Sequence, residues 1–393
     1  MAHDRSPELI FSSNIFFINR ISLMKKIIPL FFIGSILAQT HYAGDDNVWQ
    51  GVHAFYNYET ADAIEILAKA RVETPENPTV HLTWAAALWL HNQANSSVEQ
   101  TYIDLENDLN EVISVYEELV QKYPEEPIYK LYHGSAKGLM ARIYLGKKEW
   151  LNTLEWAYSG FRVIQKVETE HPDIIDATLP IGIVEYYAGL SNVLIQWGAS
   201  LLGLDPSREL GLEKIERAAN EGPWAWIEAK GILSFLYLWV DVEPGKALEH
   251  SGKLVEEFPR NFYFRILYTE SLIRSGKMNS ALTSLNTLKK IYPNLTDIQK
   301  SWYYGYLQYE FGLFHFKEGK NDKALVYINE AVHNYGAELD IILANAWCLK
   351  GQLHDLKNER NKAITAYEEC VDLDNYTYTI DLSKMYLETP FQN

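Results

Sequence analysis

The sequence predicts an all-α fold built from stacked antiparallel helix pairs, and three observations predict it. Lys246-Ala247-Leu248 and Ser280-Ala281-Leu282 lie 34 residues apart. Pro259 and Pro293 lie 34 residues apart as well. Two unrelated landmarks on one period mark a repeated helix-turn-helix unit. Beyond residue 38, apolar residues recur at helical spacing through most of the chain.

The N-terminus carries the pattern of an address. Met24-Lys25-Lys26 precedes a mostly apolar run, Ile27 to Leu37, followed by Ala38 and Gln39. A positive start, a short apolar core and a small residue at the cut describe a secretory signal peptide. Cleavage is expected after Ala38, with residues 1–23 an extension upstream of Met24, so the expected location is periplasmic or secreted. The apolar run is too short to span a bilayer, which takes about 20 residues, so no transmembrane span is expected in the mature chain. No Cys follows it to carry a lipoprotein anchor.

Residues 39–175 read as degenerate helix pairs. Gly44 to Pro78 makes one unit, Asp108 to Pro124 supplies a second helix, and Ala136 to Val167 forms another pair turning at Leu145-Gly146-Lys147. Residues 176–221 fit no unit. Ile183, Tyr186, Tyr187, Leu190, Leu194, Trp197 and Leu201 share a helix face there. Glu185, Asn192 and Gln196 make that helix a buried core element rather than a span. Asp205 or Ser207 is the expected cap of the helix that follows.

Residues 222–393 hold the clearest units. A small residue early in the second helix aligns them: Ala247, Ala281, Ala324 and Ala363, with Ala63 in the N-terminal unit. Gly51, Gly312 and Gly351 fall where two helices must come close. Pro75, Pro259 and Pro293 end helices. Ser275-Gly276-Lys277, Glu318-Gly319-Lys320-Asn321 and Lys357-Asn358-Glu359 are the turns between helices. The spacing drifts to 43 residues from Ala281 to Ala324 and to 39 from Ala324 to Ala363, which implies an irregular array.

From Ala229 to Asp374 these features resemble the tetratricopeptide repeat superfamily, as found in exported bacterial proteins of that kind. The resemblance implies a right-handed superhelix whose first helices line a concave surface. By the superfamily's pattern, Ile232, Leu236 and Trp239 lie there from one unit. The next units add Tyr263, Ile266, Glu270 and Ile273, then Tyr306, Tyr309, Leu313 and Phe316. The candidate groove is therefore Trp239, Tyr263, Tyr306, Tyr309 and Phe316. Residues 176–221 alone also bear a weak likeness to the inclusion-body-clearance family of eukaryotic repeat proteins.

Composition narrows the function. The 393 residues carry a formal charge of −17, without a Lys/Arg cluster able to displace counterions from phosphates, so nucleic acid is not an expected partner. No His-Glu-x-x-His run and no phosphate-binding Gly-rich loop occurs. Two Cys cannot make a structural zinc site of paired CxxC. Gly134-Ser135-Ala136-Lys137-Gly138 has its Ser one place early for a nucleophile elbow and sits in a helix. The acidic run Tyr102 to Glu118 reads as a solvated helix face. Cys348 and Cys370 read as buried small apolar residues rather than a disulfide.

No catalytic, cofactor-binding or metal-binding residue is expected. Three roles compete for the aromatic stripe: core packing, with the central helix filling the groove; a partner peptide or helix; and a sugar or lipid. The reading is a non-catalytic protein-interaction scaffold or adaptor of the bacterial envelope. The alternative is a periplasmic carrier holding a sugar or lipid in an enclosed pocket.

Overall fold

The computed structural model describes residues 41–191, 206–337 and 339–392. The leader at 24–38, the extension before it, and Leu194, Trp197, Leu201 and Asp205 of the central segment lie outside the described residues. Among those described, seventeen α-helices and no strand are present, an all-α, tetratricopeptide-like array.

The helices are α1 (Asp45–Tyr56), α2 (Thr60–Glu73), α3 (Val80–Asn95), α4 (Val98–Lys122), α5 (Pro127–Gly146) and α6 (Trp150–Glu170). Next come α7 (Thr178–Leu190), α8 (Arg208–Glu221), α9 (Trp226–Trp239), α10 (Pro244–Glu257), α11 (Phe262–Arg274) and α12 (Met278–Ile291). The last are α13 (Asp297–Lys317), α14 (Asn321–His333), α15 (Ile341–Leu356), α16 (Arg360–Val371) and α17 (Tyr378–Glu388). They pair in sequence as α1/α2 through α15/α16, and α17 packs on the last pair.

One turn chemistry links most pairs. Tyr58, Lys148, Gly276, Gly319 and Asn358 adopt left-handed backbone with φ between 58° and 72°. The N–H of the next residue then donates five residues back, at 2.9–3.0 Å, in the pairs Glu59–Ala54, Glu149–Tyr144, Lys277–Leu272, Lys320–His315 and Glu359–His354. This closes the first helix on its own orphan carbonyls. The turns at 276, 319 and 358 fall where the sequence put them. Between α5 and α6 the left-handed residue is Lys148, not Gly146. A Cβ on Gly146 would lie 2.2 Å from the Tyr102 hydroxyl oxygen, so that glycine serves close packing. The α9–α10 turn is one residue longer: Glu243 N donates to Tyr237 O at 2.7 Å, and the β-branched Val242 takes the left-handed place.

Packing within each pair follows the small residues. Ala63, Ala247, Ala281, Ala324 and Ala363 are all fully buried. Opposite three of them, a Cβ on Gly51, Gly312 or Gly351 would come within 2.3–2.5 Å of Leu67, Ile328 or Tyr367. Two helices begin earlier than the sequence suggested. Ser97 caps α4 by accepting from Gln100 N at 3.2 Å, so the helix starts at Val98, ten residues before the expected Asp108, and Pro127 opens α5.

The central segment also forms a pair. Thr178 donates to Lys214 O at 3.2 Å, and Gly189 lies against Arg208, so α7 and α8 run antiparallel. At their crossing the backbones touch: a Cβ on Gly211 would fall 2.4 Å from Tyr186 N and 2.7 Å from Gly182 O. Ser207 caps α8, accepting from Leu210 N at 3.2 Å. What separates this pair from the others is the long connection between its helices. No described helix is long and apolar enough to cross a membrane.

The array curls back on itself. One apolar core runs through α1, α2 and α3 and then directly into α7–α15. Trp49 of α1 packs edge-on to Trp224, ring centroids 5.8 Å apart, and Tyr56 stacks on Phe264 at 5.9 Å. Asn261 Nδ2 donates to Tyr56 O at 2.8 Å, Arg260 N donates to Asn57 Oδ1 at 3.2 Å, and Thr296 donates to Ala94 O at 2.6 Å. The first hairpins thus close over the inner helices of the C-terminal half.

Candidate binding lumen

This closure brings the α1–α2 turn against the inner face of α9, α11 and α13. Tyr58 of the α1–α2 turn, Tyr187 at the end of α7, Tyr263, Tyr303 and the carboxyl of Glu228 converge there. Tyr58 and Tyr303 share a hydroxyl hydrogen bond of 2.9 Å. Tyr56 donates to Glu228 Oε1 at 2.5 Å. Tyr187 faces Tyr376, before α17, with ring centroids 6.5 Å apart.

Desolvation dominates the electrostatics of this cluster. Glu228 keeps contact with solvent, yet desolvation raises its carboxyl above the ordinary value against the lowering effect of the Tyr56 hydroxyl. Burial likewise holds the phenols of Tyr56, Tyr58 and Tyr263 well above theirs, so all three remain neutral donors. The lumen offers aromatic faces with hydroxyl edges and one acid, suited to hydrogen-bonding groups flanked by apolar surface.

Behind the lumen a polar spine crosses five inner helices. Trp239 Nε1 donates to Glu270 Oε2 at 2.7 Å, and Arg274 Nε donates to Glu270 Oε1 at 2.6 Å. Arg274 also donates to the Tyr378 hydroxyl at 2.6 Å, the Tyr309 hydroxyl at 3.1 Å and Asn345 Oδ1 at 3.2 Å. Desolvation lowers Arg274's basicity, but the surrounding phenols and Glu270 outweigh it and hold the guanidinium charged. Glu310 of α13 is fully buried, and no donor reaches either of its oxygens. Burial first, and Glu270 second, push its pKa well above the carboxylate range, so it keeps its proton and faces Glu270 as a neutral acid.

The five groove residues expected from the sequence fall into different settings. Trp239 and Tyr309 are buried members of the spine. Tyr306 is buried and stacked on Tyr335 at 6.1 Å. Tyr263 is half-exposed and faces the lumen. Phe316 is half-buried at the far end of α13, beside Phe391 at 6.3 Å. They do not form one continuous exposed stripe. The residues contributed by α1 and the turn after it, Tyr56 and Tyr58, carry no sequence signal, because they meet their partners across some two hundred residues of chain. Arg274 had one: a cation four residues after Glu270 on an otherwise apolar helix face.

A separate cavity of about 20 Å³ lies between α5, α6 and Pro180, lined by Gly134, Gly138, Thr153 and Phe161. It has room for a water at most. Cys348 and Cys370 are buried free thiols, their pKa values raised by burial, and Cys370 donates to Ala344 O at 3.2 Å.

Residues 344–377, from inside α15 to the start of α17, match the model of the tetratricopeptide repeat family. The chain carries a tetratricopeptide repeat. The match contains Gly351 against Tyr367, the Asn358 turn and buried Ala363, the packing described above. Comparison with solved structures finds distant likenesses. A tetratricopeptide repeat protein from Parabacteroides merdae is 14% identical over 88% of this chain and 97% of its own, with a TM-score of 0.30. A Rap protein complexed with competence and sporulation factor is 11% identical over 84% and 76%, TM-score 0.36. The human IFIT1 dimer with m7Gppp-AAAA is 12% identical over 89% and 81%, TM-score 0.41. At these scores no ligand transfers from them. No curated protein matches the chain. The repeat is an interaction fold, which supports a protein-binding scaffold role.

Proposed function

We propose that this protein is a non-catalytic interaction scaffold exported to the bacterial cell envelope, and that it receives its partner in the tyrosine-lined lumen. The supporting observation is the convergence of Tyr58, Tyr187, Tyr263, Tyr303 and Glu228 at the inner face of α9, α11 and α13. Neutral phenols and a carboxyl whose pKa is raised by desolvation suit the backbone amides and side chains of an extended peptide segment. Such a segment needs no catalytic group at the site.

The closure by α1–α3 also favours a second reading, a carrier that holds a sugar or lipid between the tyrosine rings. One experiment separates the two. A photo-crosslinking residue replaces Tyr263 in the full chain, expressed in a bacterial envelope, with a second version carrying it at exposed Leu282. Peptide or protein adducts concentrated at position 263 support the scaffold. A defined small-molecule mass retained in native mass spectrometry supports the carrier. Equal labelling at both positions with no retained ligand removes the lumen as the site. The leader is tested by N-terminal sequencing of the exported product, which should begin at Gln39.

A further inference from the structure

The first half of α6 presents an apolar face to solvent. Trp150, Leu151, Leu154 and Tyr158 are 52%, 84%, 55% and 50% exposed. At about 100° per residue they occupy an arc of roughly 100°. An adjacent arc of α6, with Thr153, Gly160, Ile164 and Val167, is buried, and so is Phe161 in the second half of the helix. Elsewhere Val72, Leu282 and Val326 each stand singly on their helices, which needs no explanation. Four large side chains on one arc do. Scaling their exposed fractions by side-chain areas of about 150–250 Å² leaves roughly 500 Å² of contiguous apolar surface, near the top of what a monomer's largest patch measures.

We propose that this face is a homodimer interface, occupied by α6 of a second copy of the chain. The pattern is self-complementary. Trp150, Leu154 and Tyr158 form a single i, i+4 ridge with Leu154 at its centre and an aromatic ring one turn to either side. A two-fold axis through Leu154 sets each Trp150 against the Tyr158 of the second copy, while Leu151 fills the flank of the ridge. An arrangement with one residue type at the axis and rings at both ends fits its own twin. Two such patches bury about 1,000 Å² in total, the lower bound of specific interfaces. The dimer therefore belongs to the weak, exchanging class. The chain's charge of −17 opposes association, but beyond about 8 Å it is screened at physiological salt, so the dimer tightens as salt is added. The interface goes beyond the lumen reading and does not depend on it.

Sedimentation velocity of the full chain at about 1–100 µM, in low and physiological salt, tests it. The expected result is a concentration-dependent dimer for the wild-type chain, strengthened by salt. Leu151→Glu with Leu154→Glu should weaken association at least tenfold with an unchanged thermal transition, because both residues are already exposed. Leu282→Glu with Val326→Glu should leave the dimer intact. If the α6 variant misfolds, Leu154→Cys replaces it and should yield an oxidised dimer, since Leu154 meets itself at the axis. A wild-type chain that stays monomeric at 100 µM overturns the proposal. So does an α6 variant that dimerises as before, or a monomer that instead binds phosphatidylglycerol vesicles through this face.

Discussion

Replacing Glu310 by Gln tests the polar spine most directly. In the folded chain the carboxyl is fully buried, has no donor, and faces Glu270, so it retains its proton well above the ordinary carboxylate value of 4.5. Unfolded, the same group ionises near that value. Between the two pKa values the native state binds one more proton than the unfolded state, and stability falls as pH rises. The stabilisation is complete below about pH 4.5 and lost as pH climbs toward the folded value. One proton limits the slope to about 1.36 kcal/mol per pH unit, or about 2.7 kcal/mol between pH 5 and pH 7. Gln keeps the shape, lacks the proton equilibrium, and can donate its amide to Glu270. Urea unfolding of both chains at pH 5, 6 and 7 should give curves that diverge, the variant gaining on the wild type by up to that amount. Parallel curves would refute the assignment of a neutral, donor-less acid to position 310.

Three further outcomes follow from the geometry. Gly211→Ala should destabilise by about 1–3 kcal/mol or more, since its Cβ meets α7 backbone, whereas Gly245→Ala, with nothing within 4 Å, should stabilise by about 0.4–1 kcal/mol; thermal melts of the pair decide it. Val242→Gly should raise stability by about 1–2 kcal/mol by relieving a left-handed β-branched residue, with no gain if the turn simply relaxes. Arg274→Met should cost about 3–5 kcal/mol by leaving Glu270 without its buried cation, read as a fall in the urea midpoint.

Local features of the fold were legible because they repeat. The buried alanines, the close-packed glycines at 51, 312 and 351, and the turns at 276, 319 and 358 each arise within one hairpin, where spacing alone carries the information. Val242 and Lys148 were not readable as left-handed residues, because neither side chain favours that conformation. The pairing of α7 with α8 was hidden by the long connection between them. Its marks, Gly182 and Gly211, stand 29 residues apart. The lumen was half legible. Tyr263 was expected at the concave face, but the pattern could not foresee that Tyr56 and Tyr58 return to cover it, or that Trp239 and Tyr309 spend their polar atoms on Glu270.

The contact between residues 45–95 and 224–303 has a consequence for how the molecule comes apart. An open solenoid is linear, so its terminal hairpins fray independently and its middle melts last. Here the leading hairpins are held by partners some two hundred residues downstream, and a loop that long is slow to shut. Hairpins therefore form first and ring closure is the final step of assembly. Once shut, the leading end gives way only together with α9, α11 and α13, so unfolding is cooperative across the ring rather than progressive from the tip.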